Sequence, residues 1–130
     1  MNKNILLKGA FFAVFAVILG AFGAHALKAV LTESKLESYH TATRYLMYHG
    51  LALLLLGYLH KEIQNNWIKY ASQCMFLGTI LFSGSILLLV NRELLGMEFL
   101  KALGPVTPLG GTVLIAGWIC LIVSIFKNKQ

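Results

Sequence analysis

Residues 5–27 read ILLKGAFFAVFAVILGAFGAHAL, and this stretch decides the fold class. The run from Gly9 to Leu27 contains no Lys, Arg, Asp or Glu, and it is long enough to cross a bilayer as a helix. Small residues recur seven apart in it, at Gly9, Ala16 and Gly23. Seven residues make two helical turns, so these residues share one helix face. Small residues on one face let helices approach closely inside a membrane.

The same spacing of small residues returns in three later apolar segments. They carry Thr43, Gly50 and Gly57; Ala71, Gly78 and Ser85; and Gly110, Gly117 and Ser124. The sequence therefore predicts an all-α fold, a four-helix transmembrane bundle that forms a single integral membrane domain over residues 1–130. The expected spans are about 5–27, 44–60, 67–91 and 108–126. The residues expected at helix contacts are Gly9, Ala16, Gly20, Gly23, Gly50, Gly57, Gly78, Ser85, Gly110 and Gly117.

The longer loops are expected to contain short interfacial helical segments. Ser34 and Glu37 fit a capping box that starts a helix before the second span, with Thr32 as an alternative cap. Residues 92–107 alternate apolar and charged side chains, which is typical of a helix lying on the membrane surface. Thr107 and Pro108 suit the N-cap and the first position of the last span.

The composition excludes several functional classes. Of the 130 residues, 58% are hydrophobic and 12% are charged, which leaves only short loops outside four spans. The net charge of +6 comes from basic residues that flank apolar segments, without the interleaved aromatic residues of a nucleic-acid surface. The basic residues predict contact with lipid headgroups. Both termini are expected in the cytoplasm, because six lysines fall on their side (Lys3, Lys8, Lys61, Lys69, Lys127 and Lys129) against five basic residues opposite.

The two cysteines, Cys74 and Cys120, lie in separate apolar segments. Neither has a cysteine two or three residues away, as a redox motif or a zinc site would require. They are expected to pack as free thiols without a disulfide.

Polar residues within or at the ends of the spans are the candidates for a functional role: His25, Arg44, His49, Ser83, Ser85, Asn91 and Thr107. His25 and His49 are able to ligate haem iron or a metal, and a structural hydrogen bond is the simpler interpretation. Ser83 lacks the base and the oriented third group that a nucleophile needs. We therefore expect no catalytic residue, no metal and no cofactor.

Four local patterns together resemble a known family. They are GAFGAHAL at 20–27, Tyr45 to Leu51 with His49 inside it, FSGS at 82–85, and TPLGG at 107–111 with Gly117 and Trp118. In this order they are similar to the YgdD/YwdK-like small membrane proteins, an uncharacterised family of bacteria with mitochondrial relatives. The resemblance spans nearly the whole chain. It implies a multi-pass inner-membrane protein without an assigned activity.

The leading functional hypothesis is a non-enzymatic accessory protein of the bacterial cell (inner) membrane. It would bind membrane lipids or a membrane-protein partner, with a homo-oligomer as a further expectation. An oligomeric transporter or channel for small solutes is one alternative, and a haem or metal site at the histidines is another. No nucleic-acid partner is expected.

Overall fold

The computed structural model describes residues 1–128, and their regular secondary structure is entirely helical. Four long helices are formed: α1 (Lys3–Ala24), α2 (Glu33–Leu59), α3 (Asn66–Asn91) and α4 (Val106–Phe126). Two short 3-10 helices, Leu27–Ala29 and Glu98–Leu103, lie in the longer connections. The all-α prediction is confirmed, and Lys129 lies outside the described residues.

Three helical segments are long and apolar enough to cross a membrane: Lys3–Ala24, Asn66–Asn91 and Glu98–Phe126. The second predicted span, 44–60, is not among them. It lies within α2, where Arg44, His49 and several tyrosines lower the hydropathy. The first helix ends at Ala24, three residues before the predicted end, because His25 and Ala26 form a turn.

The starts of two helices differ from the predictions. Thr32 caps α2, since its Oγ1 accepts a hydrogen bond from the N–H of Lys35 at 3.3 Å. The alternative cap is thus confirmed, and the capping box at Ser34 is wrong. Helix α4 begins at Val106 after Pro105, so the expected N-cap role of Thr107 is also wrong.

The helices pack in chain order, α1 on α2, α2 on α3 and α3 on α4. This places α1 and α4 on opposite sides of the central α2–α3 pair. Helices α1 and α3 also touch. The ring of Phe12 in α1 stacks on the ring of Phe76 in α3, with 5.3 Å between the ring centroids. The chain termini and the α2–α3 turn share one end of the molecule, the terminal end, as the bond from Asn2 N–H to the Gly57 carbonyl shows. Residues 25–32 and 92–105 form the other end, the loop end.

Polar side chains are buried together with apolar ones between the helices, while many other large apolar side chains are exposed. Thr79 and Ser83 are 0% and 1% exposed, whereas Phe11 and Phe22 are 61% and 55% exposed. A water-soluble protein seldom exposes so many large apolar side chains together, so this surface indicates surroundings of lipid.

Glycines set the closest helix contacts. A Cβ added at Gly9 would lie 2.6 Å from the carbonyl oxygen of Gly50, and one at Gly78 would lie 2.9 Å from the N of Leu114. Buried positions on these interfaces are Gly9, Ala16, Gly23, Gly50, Gly57, Gly78, Ser85, Gly110 and Gly117. Gly20 is the exception, and the packing role expected for it is wrong. A Cβ there would meet nothing within 4 Å, so Gly20 makes no close helix contact within this chain.

Candidate functional site

A cleft of about 480 Å³ opens between α2, α3 and α4, and we call it the α2–α4 groove. Its walls combine aromatic, aliphatic and a few polar side chains. The lining residues are Tyr45, His49, Phe82, Pro108, Gly111, Thr112, Leu114, Ile115 and Trp118.

His49 lies at the base of the groove and joins two helices. Its Nδ1 lies 2.8 Å from the carbonyl oxygen of Tyr45, and its Nε2 lies 3.2 Å from Nε1 of Trp118. A carbonyl only accepts and an indole N–H only donates, so the bonds assign the proton to Nδ1 and the lone pair to Nε2. Both ring nitrogens of the neutral imidazole are therefore engaged within the protein.

Aromatic rings form the rest of the wall. The ring centroid of Tyr45 lies 4.9 Å from that of Phe82, and the rings of His49 and Trp118 meet edge to face at 6.0 Å. Tyr45 is 39% and Trp118 45% exposed, so both rings present a face to the surroundings of the protein. The groove is thus a rigid apolar trough with polar atoms at its base.

Helix α4 determines the length and depth of the groove. From Pro108 to Trp118 the helix rises about 15 Å. Gly111 leaves space in the wall, since a Cβ at this position would be in ordinary contact with the Phe82 ring at 3.7 Å. The hydroxyl of Thr112 donates to the Pro108 carbonyl at 2.9 Å and keeps lone pairs free to accept.

Four of the polar candidates hold helices together or cap their own helix. Ser83 donates to the carbonyl of Ala42 at 2.8 Å, which ties α3 to α2. Ser85 and Thr107 share a hydrogen bond of 2.6 Å between α3 and α4. The amide of Asn91 donates to the Leu87 carbonyl at 2.8 Å, at the end of its own helix. These side chains satisfy their polar groups inside the fold, and they lie outside the groove.

The structure does not bring His25 and His49 together. His25 is exposed in the turn after α1, beside Ile18 and Phe22. The preceding turn of α1 packs against His40, nine residues before His49 and about 14 Å away along α2. Since both nitrogens of His49 are also engaged, the geometry gives no support to a haem or metal site at these histidines. No group of three potential ligands among His, Cys, Asp and Glu occurs within residues 1–128.

The remaining candidate, Arg44, pairs with Glu37 on the same helix, in the half of α2 nearer the loop end. All four ion pairs among the described residues lie in this half of the molecule: Lys35–Glu93 at 2.9 Å, Arg44–Glu37 at 3.2 Å, Arg92–Glu98 at 3.6 Å and Arg92–Glu93 at 3.7 Å. The ammonium of Lys35 lowers the pKa of Glu93 by hydrogen bonding and by charge attraction. The loop end is therefore nearly neutralised by its own residues.

The groove depends on residues that polarity alone does not single out. In the sequence, nothing distinguishes Tyr45, Phe82 and Trp118 from ordinary aromatic residues of membrane helices, except that they fall in the local patterns shared with the similar family. The capping residue Asn65 was also missed, although its amide donates to the carbonyl of Ser124 at 2.9 Å. An Asn directly before an apolar run is an N-cap signal that would have found it.

Comparison with known proteins places the chain in a family. Residues 19–111 match the family described as "Protein of unknown function (DUF423)". The chain belongs to this family. It is 42% identical to a UPF0382 membrane protein of Staphylococcus aureus over 125 residues, covering 96% of this chain and 97% of the relative. UPF0382 membrane proteins of Staphylococcus haemolyticus and Staphylococcus epidermidis are 37% and 36% identical at the same coverage.

No solved structure shows significant similarity to the chain. The sequence comparisons confirm an uncharacterised family of membrane proteins, and the narrower YgdD/YwdK-like assignment stays a prediction. A family name of this kind carries no activity to this DUF423 member. The site geometry is therefore the basis for proposing a function.

Proposed function

We propose that this protein is a non-enzymatic lipid-binding protein of the bacterial cell (inner) membrane. In this proposal it spans the bilayer four times as a single-domain helix bundle, with both termini in the cytoplasm. Its α2–α4 groove holds one acyl chain of a lipid from the leaflet at the loop end. It acts as an accessory protein that presents or retains that lipid.

The position and length of the groove carry the proposal. It runs about 15 Å from Pro108 near the loop end to Trp118, and half of a hydrocarbon core is also about 15 Å. An acyl chain of one leaflet therefore matches the groove in length and in apolar character. The exposed rings of Tyr45 and Trp118 would contact the chain along its side.

Helix α2 would form the fourth span despite its lower hydropathy. Its polar residues have partners inside the protein, since His49 bonds to Trp118 and to the Tyr45 carbonyl. Polar groups that are satisfied by neighbouring helices are tolerated at membrane depth. Arg44 lies one and a half turns nearer the loop end and would reach the interface by snorkelling.

The basic terminal end supports cytoplasmic termini. No carboxylate lies within 4.0 Å of Lys3, Lys8, Lys61, Lys69 or Lys127 in the described part of the chain. Unpaired cations beside the helix ends favour the cytoplasmic side. Cysteine-free variants with a single cysteine added at residue 2 or residue 96 would test the orientation by impermeant labelling of whole cells. We expect label only at residue 96, and label at residue 2 would reverse the proposed topology.

Trp118 offers a direct test of lipid binding, because Trp67 is the chain's other tryptophan. In the Trp67→Phe variant, lipids brominated along the acyl chain should quench the Trp118 fluorescence strongly. Gly111→Leu would fill the groove without a Cβ clash, so we expect weaker quenching and less lipid retained in native mass spectrometry. Gly84→Leu is the matched control, because a Cβ there meets nothing within 4 Å. Equal lipid retention by the two variants would contradict the proposal.

A membrane-protein partner and solute transport remain proposals, and transport needs more than one copy of the chain. The space between the helices of one copy is filled by buried side chains such as Leu53, Met75 and Thr79, each 0% exposed. A solute path would therefore run between copies, and the open glycine positions Gly20 and Gly84 are where close contacts have room. Flux measurements in liposomes would support this alternative if wild-type protein transported a solute and Gly20→Leu did not.

A further inference from the structure

The chain's two cysteines lie beside the same close contact of the α3–α4 interface. Both are free and half-buried, and Gly117, one turn before Cys120, packs against the side chain of Cys74. Both thiols are free, as the sequence predicted. Their closeness could not be read from spacing along the chain, because it depends on how two helices align.

The alignment of α3 and α4 explains why the two thiols meet. Three close contacts define the antiparallel register: Phe82 with Gly110, Gly78 with Leu114, and Met75 with Gly117. In this register Cys120 lies two residues nearer the terminal end than Cys74, or about 3 Å along the axis. Each Cα–Cβ bond tilts toward the N-terminus of its own helix, so on antiparallel helices these two side chains lean toward a common level.

Glycine packing brings the two backbones close at this level. A Cβ at Gly117, one turn before Cys120, would lie 3.2 Å from the Cβ of Cys74. A disulfide requires Cα atoms within about 7 Å, and such separations occur only where helices are in tight contact. The contact at Gly117 supplies this condition beside the thiol pair.

We propose that Cys74 and Cys120 form a reversible redox pair that a lipid-soluble quinone oxidises. In the reaction both S–H bonds break and one S–S bond forms. The two electrons and the two protons pass to the quinone, which becomes the hydroquinone. A small dithiol such as dithiothreitol reverses the oxidation by thiol–disulfide exchange, in which the dithiol becomes a disulfide and both cysteine thiols are restored.

The depth of the cysteines favours a quinone over a water-soluble oxidant. Cys74 lies about 12 Å from the start of α3, and Cys120 lies about 9 Å from the end of α4. Exchange with a soluble disulfide needs a thiolate, which apolar surroundings disfavour. A quinone dissolves in the same apolar layer, and reactants and products of the complete reaction are all uncharged.

The experiment uses the full-length protein, reduced and placed in lipid nanodiscs without oxygen. A short-chain ubiquinone analogue is added, free thiols are alkylated, and the intact mass is measured. We expect both alkylation sites to be lost, the intact mass to fall by two hydrogen atoms, and one hydroquinone to form per chain. A large excess of dithiothreitol, whose uncharged form enters the bilayer, should slowly restore both thiols and reverse a rise in the thermal unfolding temperature.

Cys74→Ser and Cys120→Ser are the matched variants, and each keeps one thiol in the same surroundings. Both should fold like the wild type, and neither should form an internal disulfide or reduce the quinone. Two thiols that stay alkylatable after quinone treatment would overturn the proposal. Quinone reduction by either single variant at the wild-type rate would also overturn it.

Discussion

The two ends of this molecule are held together by different chemistry. At the loop end, the ion pair Lys35–Glu93 links α2 to the connection between α3 and α4. At the terminal end, asparagines make the links: the backbone N–H of Asn2 donates to the Gly57 carbonyl, and the amide of Asn65 donates to the Ser124 carbonyl. Uncharged links leave the lysines of the terminal end free to meet anionic headgroups. The proposed orientation in the membrane rests on this difference in unpaired positive charge between the two ends.

The largest losses of unfolding free energy are expected from substituting glycines at the α3–α4 interface, and the two halves of this interface should differ. A Cβ at Gly110, in the loop half, would meet backbone atoms, including the carbonyl carbon of Leu81 at 2.8 Å. A Cβ at Gly117, in the terminal half, would first meet the flexible side chain of Met75 at 3.0 Å. We expect Gly110→Ala to lower the free energy of unfolding by about 3 kcal/mol and Gly117→Ala by about 1 kcal/mol.

Unfolding by sodium dodecyl sulfate in mixed micelles would measure both variants. Gly20→Ala is the control, since its Cβ has open space and Ala favours a helix over Gly by up to about 1 kcal/mol. Equal losses at Gly110 and Gly117 would show that backbone contact is not what distinguishes the two halves.

An intermediate loss of unfolding free energy is expected when Asn65, at the terminal end, is replaced. Asn65 Oδ1 accepts from the N–H groups of Trp67 and Ile68, while its Nδ2 donates to α4. Asn65→Ala removes both functions and should cost about 1–2 kcal/mol of unfolding free energy. Asn65→Asp keeps the cap but loses the donor, so it separates the two contributions. If Asn65→Asp lowered the free energy of unfolding as much as Asn65→Ala, the whole effect would come from the hydrogen bond to α4.

The smallest effect is expected from the ion pair at the loop end. Lys35 lowers the pKa of Glu93 in the folded protein, so the pair stabilises the fold above the ordinary carboxyl pKa of about 4.3. This contribution is lost as the pH falls through the lowered folded pKa. Glu93→Gln should therefore flatten the acid side of the unfolding temperature against pH.

Glu62→Gln at the terminal end is the comparison for this titration, because Glu62 takes part in none of the ion pairs within residues 1–128. Its profile should follow the wild type. Identical flattening in the two variants would mean that general charge, and not the Lys35–Glu93 pair, controls acid stability.

The sequence predicted helices better than it predicted helix faces. Helix α3 begins and ends within one residue of its predicted span, because an uncharged run between polar residues marks both limits. Seven-residue spacing placed Gly9 and Gly23 correctly on one face. It could not exclude Gly20, which at about 100° per residue lies within about 60° of both. Only the packing of the neighbouring helices leaves it open.

The candidate site was harder to predict for the same reason. His49 was selected as a polar residue in an apolar segment, which the sequence alone displays. Its partner Trp118 is distant in the chain and reaches it only because α4 packs across α2 and α3. Cys74 and Cys120 come to nearly the same level of the α3–α4 interface in the same way, through the register of the contacts at Gly78 and Gly117.

By itself, the sequence determined a membrane chain of apolar helices that pack through small residues, because hydropathy, length and short-range periodicity are local properties. Only the tertiary structure decided that Gly20 stays open, that His49 bonds to Trp118 beneath a groove, and that two cysteines distant in the chain lie beside one helix contact. These outcomes depend on the rotation and register of one helix against another. Side chains from several segments determine that geometry together, so no single segment encodes it.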